Sequence, residues 1–184
     1  MKSKKLSVFL LIIIVSITGY FLVQDYIFSK DVGSTGDNLK NKNVETGINV
    51  GQLAPNFKLN SLSGESYELS DFKGKIVMLN FWSITCPPCI EEMPHMQEVY
   101  NDYKDSDFEI LAVNLDRNMK EVELYVDHFD YDFLVLEGDG DIERTFMVRF
   151  IPKTLFIDPH GIIYYEHVGA MDYEQIVKKI KEIR

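Results

Sequence analysis

Cysteine is nearly absent from this chain: there are two among 184 residues, at positions 86 and 89. A secreted scaffold stapled by disulfides uses more cysteines at longer spacings, so that class is excluded. Histidine is scarce too. His95, His128, His160 and His167 form no close His–His pair, and there is no second Cys-x-x-Cys, so the four-ligand pattern of a structural zinc site is missing. Positive charge is the third scarcity. Residues 50–184 hold 13 Lys and Arg against 25 Asp and Glu, a net charge of −12, which argues against nucleic acid or an anionic membrane surface as partner. Internal repeats and low-complexity segments are lacking as well.

Long apolar runs are lacking with one exception. Lys2, Lys4 and Lys5 precede 18 uncharged residues, Leu6 to Val23, mostly Leu, Ile, Val and Phe. As a helix these would span roughly 27 Å, close to the roughly 30 Å hydrocarbon core of a bilayer. A cleaved signal peptide begins in the same way and is the alternative. The run is longer than a usual signal core, however, Thr18-Gly19-Tyr20 is a poor cleavage site, and no cysteine stands nearby for lipid attachment. Residues 1–23 are therefore expected to be an uncleaved signal-anchor, a single-pass transmembrane helix. In either case the lysines stay inside and the chain after Val23 is exported across the cell membrane. Residues 24–49, rich in Asn, Asp, Gly, Ser, Thr and Lys, read as a flexible linker, and residues 50–184 as one domain.

Within that domain, Phe57–Asn60 and Ser66–Leu69 alternate about a Ser63-Gly64 turn, which predicts a hairpin. Ile76–Trp82 is almost continuously apolar, as a buried central strand is. A helix is expected after the cysteines, with Ile90, Met93, Met96 (or Gln97), Tyr100 and Tyr103 as its apolar stripe. Phe108–Leu115 reads as a second buried strand. Asn118 and Glu121 start a helix carrying Val122, Tyr125, Val126 and Phe129, followed by a strand over 133–136 and a short helix over 142–148. A late hairpin, Lys153–Ile157 and Ile162–His167, turns at Asp158-Pro159-His160-Gly161. The last helix is capped by Asp172 with Gln175 and buries Tyr173, Ile176, Val177, Ile180 and Ile183. This order implies an α/β fold: a mixed β-sheet, parallel at its core, antiparallel at one side, with helices on both faces.

Cys86-Pro87-Pro88-Cys89 lies between a buried strand and an amphipathic helix. That places the first sulfur at a helix N-terminus, where unpaired N–H groups and the positive dipole end favour thiolate, with Cys89 beneath it. An inert disulfide closing so short a loop would add little stability, so the pair reads as chemistry. Glu92 lies about 60° around the helix from Cys89, and Glu91 about 160° away, toward solvent.

Here the residues match a family. Asn80-Phe81-Trp82-Ser83-Ile84-Thr85-Cys86-Pro87-Pro88-Cys89-Ile90-Glu91-Glu92-Met93-Pro94 resembles the membrane-anchored TlpA/ResA group of thioredoxin-like thiol–disulfide oxidoreductases. Gly51-Gln52-Leu53-Ala54-Pro55-Asn56-Phe57 and Ile151-Pro152-Lys153-Thr154 extend the likeness over essentially all of 50–184. The resemblance implies a thioredoxin-like fold with an added N-terminal β-hairpin and a central insertion. It implies a redox-active Cys86–Cys89 disulfide with no other cofactor and no metal. It further implies a cis peptide bond before Pro152 and substrate contacts at Ile151, Pro152 and Trp82, although Trp82 is read more readily as core beside the site than as a substrate contact. Pro94 sits where the fold kinks its first helix. Asn80 replaces the buried acid of cytoplasmic thioredoxins, and Glu92 is placed to take over its proton handling.

The implied activity is reduction of disulfides in exported proteins, in cytochrome c biogenesis or in envelope and spore assembly of a bacterial cell. The implied partners are those substrates and an integral-membrane thiol electron donor, with the protein itself expected as a monomer. Thr85 departs from the tryptophan usual in the family. Pro87 and Pro88 each remove an N–H that could stabilise a thiolate, which favours a reductant. Three other readings stay open. One is a disulfide oxidase or isomerase. Another is a copper chaperone resembling the Sco group, although Cys-x-x-Cys is one residue too tight for it. The third is a thiol peroxidase, since Ala54-Pro55-Asn56-Phe57 also resembles peroxiredoxins, although Leu79 stands where their motif needs proline.

Overall fold

A computed structural model describes residues 44–184. The expected anchor over 1–23 and most of the linker lie outside the described residues. Among those described, no helix is long and apolar enough to cross a membrane.

The chain runs β1 (Lys58–Asn60), β2 (Ser66–Glu68), β3 (Ile76–Trp82), α1 (Pro87–Tyr103), β4 (Phe108–Asn114), α2 (Met119–His128), β5 (Leu134–Glu137), α3 (Gly140–Thr145), β6 (Lys153–Ile157), β7 (Ile163–Val168) and α4 (Tyr173–Ile183). β1 and β2 form the expected hairpin; the other five strands make one sheet in the order β5-β4-β3-β6-β7. β3, β4 and β5 are parallel, β6 pairs antiparallel with β3, and β7 pairs antiparallel with β6 at the edge. This is the thioredoxin-like arrangement, a β3–α1–β4 unit joined through α2, β5 and α3 to a β6–β7–α4 unit.

Pleating divides the core in two. Ile76, Met78 and Trp82 point to one face and pack with Met93, Met96 and Val99 of α1, Val122 and Val126 of α2, and Ile176, Val177 and Ile180 of α4. Val77, Leu79 and Phe81 point to the other and pack with Ala54, Leu59, Ile142 and Phe146. The chirality of crossovers explains the layering. β3→α1→β4 and β4→α2→β5 step in the same direction, so right-handed connections place both helices on one face. The step back from β5 to β6 carries α3 across the opposite face.

Two expectations are corrected. The folded unit begins at Val44 rather than Val50. Thr46 bridges Leu53, the Gly47 amide donates to the Leu53 carbonyl at 3.0 Å, and Ile48 packs on the core, so polar composition disguised a docked segment. The buried stripe of α1 is Cys89, Glu92, Met93, Met96 and Val99, with Ile90, Tyr100 and Tyr103 only flanking it. A glutamate inside an apolar stripe defeats a reading based on hydrophobicity. Asn118 stands at the N-cap of α2, where the sequence placed the helix start, and its side-chain amide donates to Glu121 Oε1 at 2.6 Å rather than its oxygen accepting from the backbone. Around α4 the box is complete: Asp172 accepts from the Gln175 amide while Gln175 accepts from the Asp172 amide.

Candidate active site

The C-terminal ends of parallel β3 and β4 stand side by side, with Trp82 opposite Asn114. The loops that leave them therefore run together, at the edge where ligands of open α/β sheets gather. Cys86 sits there as the N-cap of α1, in extended conformation, and Pro87 and Pro88 fill the first helical turn. Fixed φ suits proline to that turn. A disulfide joins Cys86 to Cys89, with Cα atoms 5.3 Å apart. The two sulfurs are not equivalent: Cys86 is half-buried and Cys89 is 1% exposed.

The backbone around Cys86 is poor in free donors. Pro87 and Pro88 have no N–H, and the Cys86 amide is spent on the Ser83 carbonyl at 3.2 Å. Facing the site, the Ile151–Pro152 peptide bond is cis, as the resemblance implied. Ile151 is half-buried, and its carbonyl oxygen lies 3.6 Å from Cys86 Sγ; Pro152 is buried behind it. Trp82 is 0% exposed and lies 6.1 Å from Tyr125 between ring centroids. Its burial accords with the reading of Trp82 as core beside the site.

Glu92 is 1% exposed, on the same buried face of α1 as Cys89, while Glu91 is exposed. The even-numbered residues of β3 face α1, so Asn80 meets this carboxyl. Its Nδ2 donates to Glu92 Oε2 at 3.1 Å and to Thr154 Oγ1 at 2.9 Å, Thr154 being its partner across the β3–β6 pair. The Met171 amide donates to Glu92 Oε1 at 3.2 Å. Burial raises the Glu92 pKa from 4.5 to about 7, although the Met171 and Asn80 hydrogen bonds pull it down. A carboxyl with that pKa exchanges protons at neutral pH.

Asp116 was not foreseen. It follows β4, and its carboxylate accepts from Ser83 Oγ at 2.7 Å, the Ile84 amide at 2.8 Å and Asn114 Nδ2 at 2.9 Å. Ser83 in turn accepts from the Thr85 amide at 3.1 Å, and the two hydroxyls are 2.8 Å apart. This polar brace shapes the turn into Cys86. Its only signal in the sequence is a Ser-x-Thr pair and a distant Asp, which strand register alone brings together. Lys153 was also unforeseen as a buried cation: its ammonium donates to the Phe146 carbonyl at 3.0 Å and pairs with Glu166 at 3.3 Å.

Known proteins are similar to this chain in sequence and fold. Residues 50–166 match the model of the AhpC/TSA family. A thiol-disulfide oxidoreductase ResA from Halalkalibacterium halodurans is 40% identical over 73% of this chain and 76% of its own. The thioredoxin-like protein YneN of Bacillus subtilis is 36% identical over 98% of both chains. The solved thioredoxin domain of a thiol-disulfide oxidoreductase from Bacteroides vulgatus is 26% identical, with a TM-score of 0.67 over 75% of this chain and all of that one. The chain belongs to the AhpC/TSA family, and in it to the ResA-type thioredoxin-like thiol-disulfide oxidoreductases. It is an enzyme of that class.

Proposed function

We propose that the protein reduces disulfides of exported polypeptides on the outer side of the cell membrane, held there by residues 1–23. The supporting observation is the asymmetry of the pair: Cys86 half-buried at the N-cap, Cys89 1% exposed, and a carboxyl with a pKa of about 7 one turn further along the same face. In the reduced enzyme the Cys86 thiolate attacks one sulfur of the substrate disulfide. The substrate S–S bond breaks, its first thiolate leaves and takes a proton from solvent, and a mixed disulfide forms on Cys86. Glu92 takes the proton of Cys89, whose thiolate attacks Cys86 Sγ, expelling the second substrate thiolate. Two electrons pass to the substrate, and the Cys86–Cys89 disulfide remains. An integral-membrane thiol carrier would restore the dithiol; no metal or further cofactor is needed. Haem-attachment cysteines of cytochrome c precursors, or envelope and spore proteins, would be suitable substrates for a monomeric reductase at that surface.

The reductive direction is supported by the shortage of donors around Cys86. A thiolate with few N–H partners is weakly stabilised, and that favours disulfide in the enzyme and dithiol in the substrate. The division of labour is tested by trapping. Cys86→Ala is expected to abolish insulin reduction, while Cys89→Ala is expected to accumulate mixed disulfides with substrate. The reverse pattern would overturn the assignment.

A further inference from the structure

The largest exposed apolar side chain near the redox centre is one that the reaction does not use. Phe150 is 72% exposed, the highest value among the exposed large apolar residues described. It is bonded directly to Ile151, whose carbonyl lies 3.6 Å from Cys86 Sγ. An exposed phenyl ring is not held by folding, since leaving it in water forgoes the burial that would stabilise it. Met147, 51% exposed, shares the same loop.

The loop that presents Phe150 is anchored on both sides. Phe146 is fully buried, with ring centroids 5.5 Å from Phe81 and 5.9 Å from Phe57. Its carbonyl accepts from the buried Lys153 ammonium at 3.0 Å, which ties the loop's start to the residue just beyond Pro152. The Gly169 amide donates to the Pro152 carbonyl at 2.9 Å, fixing the far side. Phe150 is therefore a side chain held in water on a fastened loop, one residue before the carbonyl that lies 3.6 Å from the Cys86 sulfur.

We propose that Phe150 is a specificity-determining residue that packs against an apolar side chain flanking the cysteine of the substrate polypeptide. The inference rests on the reductase reading above and narrows its substrates to disulfides with an aliphatic or aromatic neighbour. The occupant is argued from adjacency: the Ile151 carbonyl lies 3.6 Å from Cys86 Sγ and Phe150 is the exposed residue before it, so a chain bonded through Cys86 and running along Ile151 would bring a neighbouring side chain to Phe150. Covering half or more of the ring would tighten binding about tenfold.

The test uses two synthetic peptides with one intramolecular disulfide each, identical except for Leu or Ser beside the attacked cysteine, and the full-length enzyme in detergent with a chemical dithiol as donor. The wild type is expected to show a KM about tenfold lower for the Leu peptide than for the Ser peptide. Phe150→Ser should erase that difference with kcat little altered, and Phe150→Leu should restore most of it. Leu124→Ser, which removes an apolar residue on α2 that is 61% exposed, should keep the wild-type preference. A wild type that reduces both peptides with equal KM, or a Phe150→Ser enzyme that keeps the preference, overturns the inference and leaves the reductase reading intact. A wild type that reduces neither peptide overturns both.

Discussion

Glu92 shows how one residue can be legible in position and illegible in environment. Helical spacing alone places it beside Cys89 and turns Glu91 outward, and both placements hold. What spacing does not convey is that Asn80 and the Met171 amide, 12 and 79 residues away, converge on its carboxylate. Its pKa of about 7 carries a sign. The unfolded chain loses this proton near pH 4.5 and the fold near 7, so stability declines as pH rises between those values, and the penalty is complete above about 7. A shift of that size corresponds to something on the order of 3 kcal/mol. With the disulfide intact, Glu92→Gln is therefore expected to gain stability relative to wild type between about pH 4 and pH 8, read as urea midpoints at the two values; a constant difference would mean that the carboxyl is not shifted. In turnover the same variant should lose roughly 100-fold in rate, the lower range for a lost acid–base group, and should lose the inflection near pH 7. Full activity across about pH 6 to 8 would return Glu92 to a structural role.

At the scale of elements, periodic segments were legible and loops were not. Ile76–Trp82 and Lys153–Ile157 coincide with their strands because buried central strands are mostly apolar, Asn80, Lys153 and Thr154 being the polar exceptions, and the late hairpin is marked by its Asp-Pro-His-Gly turn. The docked segment from Val44 and the brace at Asp116 escape such reading, because they depend on pairing between residues distant in sequence. The brace also accounts for Thr85, which stands in hydrogen-bonding contact with Ser83 where the resemblance leads one to expect a packed tryptophan. Asp116→Ala would strand the Ile84 amide and the Ser83 hydroxyl, at a cost of roughly 1–3 kcal/mol. Denaturant titration should show that loss, and alkylation of reduced Cys86 should become faster as the loop loosens. An unaltered midpoint together with unaltered alkylation would mean that the brace is ornamental to both fold and site.

For the molecule as a whole, the α/β class, the mixed sheet and the redox pair follow from the alternation of strands and helices and from a Cys-x-x-Cys opening a helix after a buried strand. Family membership follows from relatives that share 36–40% of residues over most of the chain. Direction of electron flow is a different kind of property. It depends on the balance of free energy between dithiol and disulfide, to which Pro87, Pro88, the spent Cys86 amide and the Glu92 carboxyl all contribute. The equilibrium reduction potential of the Cys86–Cys89 pair in the purified protein measures that balance directly. A potential below roughly −230 mV is expected for a reductant fed from the membrane, whereas one between roughly −180 and −120 mV would contradict that assignment and make the protein an oxidase or isomerase.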